Sequence, residues 1–181
     1  MNLRKMFADA KKTVGLTTKQ SIDFLKDLFK NNKKTLTSDD FRPGKILSFS
    51  YDAKDKSQKY DKTPLVLVLR RNKSHPLAIN FHWAPVPMRV MLINIILKTN
   101  KGNIKKDREL NFGYKALKPL LKKLGFAPII RLYINSRISS KGVVVPNSEF
   151  MNAAKMKSES FTGGKESAEK LYSKAVKRSK K

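Results

Sequence analysis

Asp52, Asp55 and Asp61, interleaved with Lys54, Lys56 and Lys59, form the one acidic concentration near the centre of this chain. Carboxylates gathered with a lysine are what a metal-dependent nuclease places around one or two ions. The same residues also make an ordinary solvated connection between strands. His75 and His82 are the two histidines. His75 precedes Pro76 in a turn, and His82 alternates with apolar neighbours, so it is expected to face solvent or a partner. Nucleophilic catalysis needs a histidine held beside serine or cysteine, and cysteine is absent. That absence also excludes disulfides and thiolate zinc sites. Two histidines are too few for a metal cage without carboxylate help. Gly163-Gly164-Lys165 resembles part of a phosphate-cradling loop, but no strand precedes it and no serine or threonine follows the lysine, so it reads as a flexible joint. The chain is thus expected to be a non-enzyme with no catalytic residue, cofactor or metal.

Binding chemistry is far better represented. Lysine and arginine number 40 against 14 acidic residues among 181, a formal charge of +26. Self-repulsion of that size opposes compaction, and its usual counterpart is a polyanion, whose condensed counterions are released as each phosphate is neutralised. Four clusters carry the charge. Arg70, Arg71 and Lys73 lie at a strand turn. Lys101, Lys105, Lys106 and Arg108 lie in a polar loop. Lys115, Lys118, Lys122 and Lys123 share a helix. Lys174, Lys177, Arg178, Lys180 and Lys181 form the terminal tail. Lysine dominates, and it acts as a point charge rather than a bidentate fork, which favours backbone contact over base reading. A nucleic acid, DNA or RNA, is the expected partner, a ribosome-associated protein being one such case; acidic proteins met by a basic scaffold are the alternative. No apolar run approaches the roughly 20 residues that span a bilayer, so no membrane partner is expected. The N-terminal Met1–Lys5 has charge but no apolar stretch after it, unlike a secretory signal.

The elements that must position these residues can be read from periodicity. At 40% hydrophobic the chain can build a core. Thr17 and Gln20 have capping-box spacing, and Ile22, Leu25, Leu28 and Phe29 then give an apolar helix face to about Lys30; it is a packing helix or a docking arm. Leu47, Phe49 and Tyr51 alternate with serines as a half-buried strand. Leu65–Leu69 is a continuous apolar run, a strand buried on both faces or the central strand of a small barrel. Leu77, Ile79, Phe81 and Trp83 alternate as a third strand. Pro87 opens a helix with Met88, Met91, Leu92, Ile95 and Ile96 inward. A helix from Gly113 to Leu124 is expected to break or start late at Pro119, with Gly125 as its left-handed cap. Ile130, Leu132 and Ile134, and then Val143–Val145, suggest two more strands. Asn147 or Ser148 is positioned to cap a helix to Lys155. The fold class is α+β: a small bent antiparallel sheet or partial barrel flanked by helices, with basic helical extensions at both ends. The expected division is a basic arm over 1–41, a core over 42–156 and a lysine-rich tail over 157–181 with isolated apolar anchors.

Three motifs in order carry a resemblance. They are Pro43-Gly44 leading a strand to Tyr51 and Lys54, then Tyr60-Asp61-Lys62-Thr63-Pro64-Leu65, then Asn80-Phe81-His82-Trp83-Ala84-Pro85. Arg89 follows near the start of a helix, with Arg137-Ile138-Ser139-Ser140, Val143–Pro146 and Phe161 as weaker matches. This pattern is similar to that of structural proteins of tailed bacteriophages, and resembles the DNA end protector and head-completion proteins of T-even-like phages. Trp83 replaces a more usual tyrosine. The resemblance implies a virion protein near the packaged genome, at the portal or neck, present in host cytoplasm during assembly. The motif residues read as structural: Pro43 and Gly44 setting a turn, Tyr51 and Trp83 packing, and Asp61 fixing a loop through backbone amides.

With no catalytic constellation, plasmid DNA incubated with magnesium or manganese should stay uncut by both the wild type and Asp61→Ala. Cleavage that disappears in the variant would make the aspartates a nuclease site.

Overall fold

A computed structural model describes residues 3–54, 61–72, 75–99, 114–157 and 167–179. Its helices are α1 (Leu3–Lys11), α2 (Thr18–Asn32), α3 (Val86–Thr99), α4 (Tyr114–Lys123), α5 (Phe150–Lys155) and α6 (Ala168–Ser179). Its strands are β1 (Lys33–Thr35), β2 (Ile46–Tyr51), β3 (Leu65–Asn72), β4 (His75–Asn80), β5 (Ile130–Leu132) and β6 (Ile138–Val145). The six strands form one antiparallel sheet in the order β1-β6-β2-β3-β4-β5. The sheet is open at β1 and β5, so the fold is α+β without barrel closure. Register shifts between Phe49 and Tyr51 and between Val68 and Arg70 mark bulges, which sharpen the local twist and bend a sheet.

The unbroken apolar run of β3 is explained by burial on both faces. Leu65, Leu67 and Leu69 enter the large core under the helices, whereas Val66 and Val68 enter a smaller cluster on the opposite face. β2 divides in the same way, Ile46 to the helices and Leu47 and Phe49 to the other side. That second face is closed largely by aromatics. Phe49 meets Tyr133 edge-on with centroids 5.4 Å apart, and Tyr51 meets Tyr133 at 5.0 Å. Phe41, upstream of β2, completes the cluster 5.9 Å from Phe49.

On the helical face, α3 shares the large core with β3 and β4 and packs against α1 and α5. Val90 and Ile93 are therefore buried along with the expected inward face. Met6 and Ala10 of α1 and Leu28 of α2 belong to the same core. The Thr17 capping box forms in both directions, with Gln20 N–H donating to Thr17 Oγ1 at 3.2 Å and Thr17 N–H to Gln20 Oε1 at 2.9 Å. Ser21 Oγ then accepts from Lys157 N–H at 3.0 Å, tying α2 to the end of α5. α6 docks through Ala168, Leu171 and Ala175, and Phe161 lies outside the described residues.

Four local expectations need correction. The strand expected to reach Trp83 ends at Asn80, whose side chain accepts from His82 N–H at 2.9 Å and turns Phe81–Trp83 into a 3₁₀ turn. α4 runs through Pro119 without a break. Lys115 is exposed, so water can satisfy the carbonyl that proline leaves without a donor. Asn147 and Ser148 sit in a 3₁₀ turn, and the α5 N-cap is Glu149, without a side-chain cap bond. Ile134 lies beyond β5. Gly125 does close α4 with φ +78°: Phe126 N–H reaches Leu121 C=O at 2.9 Å and Gly125 N–H reaches Lys122 C=O at 3.1 Å, a Schellman pattern. Gly44, with φ +87°, makes the turn expected of Pro43-Gly44.

Gly142 in β6 marks where β1 and β2 close in from either side. A Cβ there would stand 2.6 Å from the Ser48 carbonyl oxygen and 2.6 Å from Leu36 Cδ1. Gly142→Ala should therefore destabilise the protein by about 1–3 kcal/mol, the range for overpacking. The expected reading is a lower urea midpoint at unchanged slope.

Candidate nucleic-acid interface

Asp61, Asn80 and His82 of the motifs meet at one end of the sheet. Asp61 leads into β3 and His82 leaves β4, and they meet 2.6 Å apart, Nδ1 to Oδ2. The His82 side chain is 0% exposed and that of Asp61 5%. This corrects the expectation that His82 faces solvent. Asp61 also accepts from Asn80 Nδ2 at 3.1 Å and from Thr63 N–H at 3.1 Å, the backbone bond expected of it. Burial by itself would raise the Asp61 carboxyl. The charge and hydrogen bond of His82, with the Asn80 and Thr63 donors, outweigh it and hold the carboxyl below its ordinary value.

Above this buried knot lies a cleft of about 560 Å³. Its walls come from four parts of the chain: Tyr51 at the end of β2, Trp83 in the 3₁₀ turn, Arg131 and Tyr133 around β5, and the last turn of α6. Burial raises the Tyr133 phenol, with Asp61 adding to the effect, so it stays neutral. The Arg131 guanidinium lies over the Trp83 ring at 4.8 Å, a cation–π contact. Arg178 and Lys54 complete the basic rim. Burial lowers Arg131 first, and repulsion from Arg178 lowers it further.

The other expected cationic sites are dispersed. Arg70 and Arg71 are exposed at the far end of β3, Arg71 Nη1 donating to Ser38 C=O at 3.1 Å. Lys122 and Lys123 are exposed in the last turn of α4, and Lys177 and Arg178 in that of α6. Tyr172 Oη donates to Gly125 C=O at 2.9 Å, which sets α6 against the end of α4. Lys73, Lys105, Lys106, Arg108, Lys180, Lys181 and Tyr60 lie outside the described residues. Pro64 is buried at the start of β3, and Pro85 C=O accepts from Met88 N–H and Arg89 N–H at the start of α3. Arg89 is fully buried, and its Nη2 donates to Met156 C=O at 2.7 Å. Arg131 escaped the sequence reading because it is a single cation in a short strand; only its place beside Arg178 gives it a role. Asp52 pairs instead with Arg137 at 3.3 Å. Among the described residues no group of three His, Asp or Glu is placed to hold a metal ion.

A depressed carboxyl stabilises the fold above the unfolded value of 3.8, and that stabilisation is lost as pH falls through the folded value. Asp61→Asn should thus cost about 2–4 kcal/mol at neutral pH, as for a broken buried ion pair or charged hydrogen bond. The difference from wild type should shrink as pH falls below about 4, where the unfolded chain takes up its proton first, and close as pH passes through the lower folded value. Equal denaturant midpoints at neutral pH would show that the pair contributes nothing.

Comparison with known proteins bears on what this basic surface is for. A family model described as phage T4 terminal DNA protecting protein matches residues 2–175. No curated protein and no solved structure matches the chain. The family match runs through all three motifs, the buried Asp61–His82 pair and the docked part of α6, and on that extent the chain belongs to the phage T4 terminal DNA protecting protein family.

Proposed function

We propose that this chain is a non-enzymatic structural protein of the phage virion that binds DNA ends through their backbone, without reading base sequence. Its place is the genome end at the portal or neck, reached from the host cytoplasm during assembly. The observation that carries this reading is the cation surplus, formal charge +26, in a member of a family described as protecting terminal DNA. Lysine-rich turns at the ends of α4 and α6 suit phosphates as point charges. Among the described residues no helix is long and apolar enough to cross a membrane, so the cations have no evident bilayer-anchored role.

Binding of this kind has a defined salt signature. Log affinity for blunt duplex DNA should fall linearly with log salt, with a slope of about −0.9 per phosphate contacted. A footprint of six phosphates or more would lose roughly a thousandfold or more between 50 and 200 mM salt. Unrelated duplex sequences should titrate alike by fluorescence anisotropy. Affinity indifferent to salt would overturn the reading. Stronger competition by duplex RNA than by duplex DNA would replace it with RNA binding.

A further inference from the structure

Two guanidinium groups held close together need an anion between or beside them. Arg131 and Arg178 both line the 560 Å³ cleft, and neither has a carboxylate partner among the described residues. Among the described residues the one carboxylate lining that cleft, Asp61, is already engaged by His82, Asn80 and Thr63. Arg131 uses one donor on Ile130 C=O at 3.2 Å, and its Cζ lies over the Trp83 ring, 4.8 Å from the centroid, a contact that restrains the side chain. A guanidinium carries five N–H donors, so most of the fork remains for a ligand. Lys54 adds a third positive charge at the rim.

Shape narrows the ligand. An internal phosphodiester of a duplex lies on a convex rod and meets a flat or grooved basic surface. A concave pocket of this size suits a small group that projects into it, and on a DNA molecule only a strand end projects. A terminal phosphomonoester also carries more charge at neutral pH than an internal diester, about −1.5 to −2 by analogy with phosphorylated side chains. That charge matches three cations better than one internal phosphate does.

We infer that the cleft between Trp83, Arg131 and the last turn of α6 seats the terminal phosphate of a DNA strand, gripped by Arg131 and Arg178 with Lys54 at the mouth. The inference rests on the DNA-end reading above and gives it a location. A phosphate seated there is withdrawn from solvent, and the end is distinguished from the rest of the duplex by its shape and charge rather than by its bases.

The test uses the full-length protein and four duplexes of one sequence at one salt concentration. One has 5′-phosphates, one 3′-phosphates, one hydroxyl ends, and one is closed by hairpins at both ends. One of the phosphorylated ends should bind about tenfold or more tighter than the hydroxyl end, the weight of one or two charge-assisted hydrogen bonds. Which of the two does so identifies the strand polarity of the site. Arg131→Gln should bring that end down to the hydroxyl-end affinity. Because Arg131 packs on Trp83, Arg178→Gln at the exposed end of α6 serves as the second variant and should lose most of the preference. Lys26→Gln, an exposed change on α2 beside the opposite edge of the sheet, should retain it. Equal binding of phosphorylated, hydroxyl and hairpin-closed duplexes overturns the pocket while leaving general DNA binding intact. An equal loss in Lys26→Gln likewise overturns it, since net charge would then suffice. Absence of binding to every duplex removes the DNA-end reading itself.

Discussion

The buried contact between Asp61 and His82 holds together the end of the sheet on which the candidate site stands. The segment entering β3 and the turn leaving β4 would otherwise splay apart, since both carry polar side chains at the margin of an apolar core. A carboxylate taken out of water is costly unless its lone pairs are satisfied. Here a histidine, an asparagine amide and a backbone amide satisfy it. Asn80 serves both sides of the knot, since its amide nitrogen donates to Asp61 and its oxygen caps the 3₁₀ turn that carries His82 and Trp83. Trp83 in turn supplies the surface on which Arg131 lies. The chain from buried acid to half-buried guanidinium is therefore continuous.

Charge imbalance sets the second constraint. With 14 acidic residues against 40 basic ones, carboxylates cannot neutralise the surface, and several are engaged locally. Asp40 accepts from Lys34 at 2.8 Å and from Thr37 N–H at 2.8 Å, closing the turn that leads toward β2. Burial pushes the Asp40 carboxyl up, and the Lys34 and Thr37 donors hold it lower on balance. Asp39 meets Arg42 and Asp52 meets Arg137 on the surface, where such pairs contribute little. Most of the described cations lie outside a sheet buried on both faces, with Arg89 the buried exception. That arrangement lets a highly charged chain stay compact, because the repelling groups sit in high dielectric while the apolar strands, each buried side chain contributing about 1.5–3 kcal/mol, supply the cohesion.

The family and the cation surplus point the same way, yet they act at different levels. The family gives a phage protein with a DNA-protecting role. In the proposed reading, charge spread over the surface would attract any duplex, and the concave site with its two arginines would distinguish a terminus from the middle of a strand. Diffuse lysines and a stacked arginine are suited to these separate tasks because one side chain is a mobile point charge and the other a planar, preorganised donor.

Local chemistry was legible in the sequence wherever the decisive partners are neighbours along the chain. The Thr17–Gln20 box, the Pro43-Gly44 turn, the left-handed Gly125, the Pro87 helix start and the apolar run of Leu65–Leu69 each depend on residues a few positions apart. The site was not legible, because its partners are distant. Alternation placed His82 outward, as periodicity cannot register that the Asn80 side chain ends the strand or that a carboxylate 21 residues upstream waits beneath it. Arg131 looked like the polar half of an alternating strand until the fold put an indole under it and α6 beside it. The sequence by itself determined the charge, the apolar strands and the caps, since these follow from composition and short-range geometry. Only the tertiary structure decided which cations share a cleft, because that depends on β5 and α6 packing against a turn some 50 to 100 residues away.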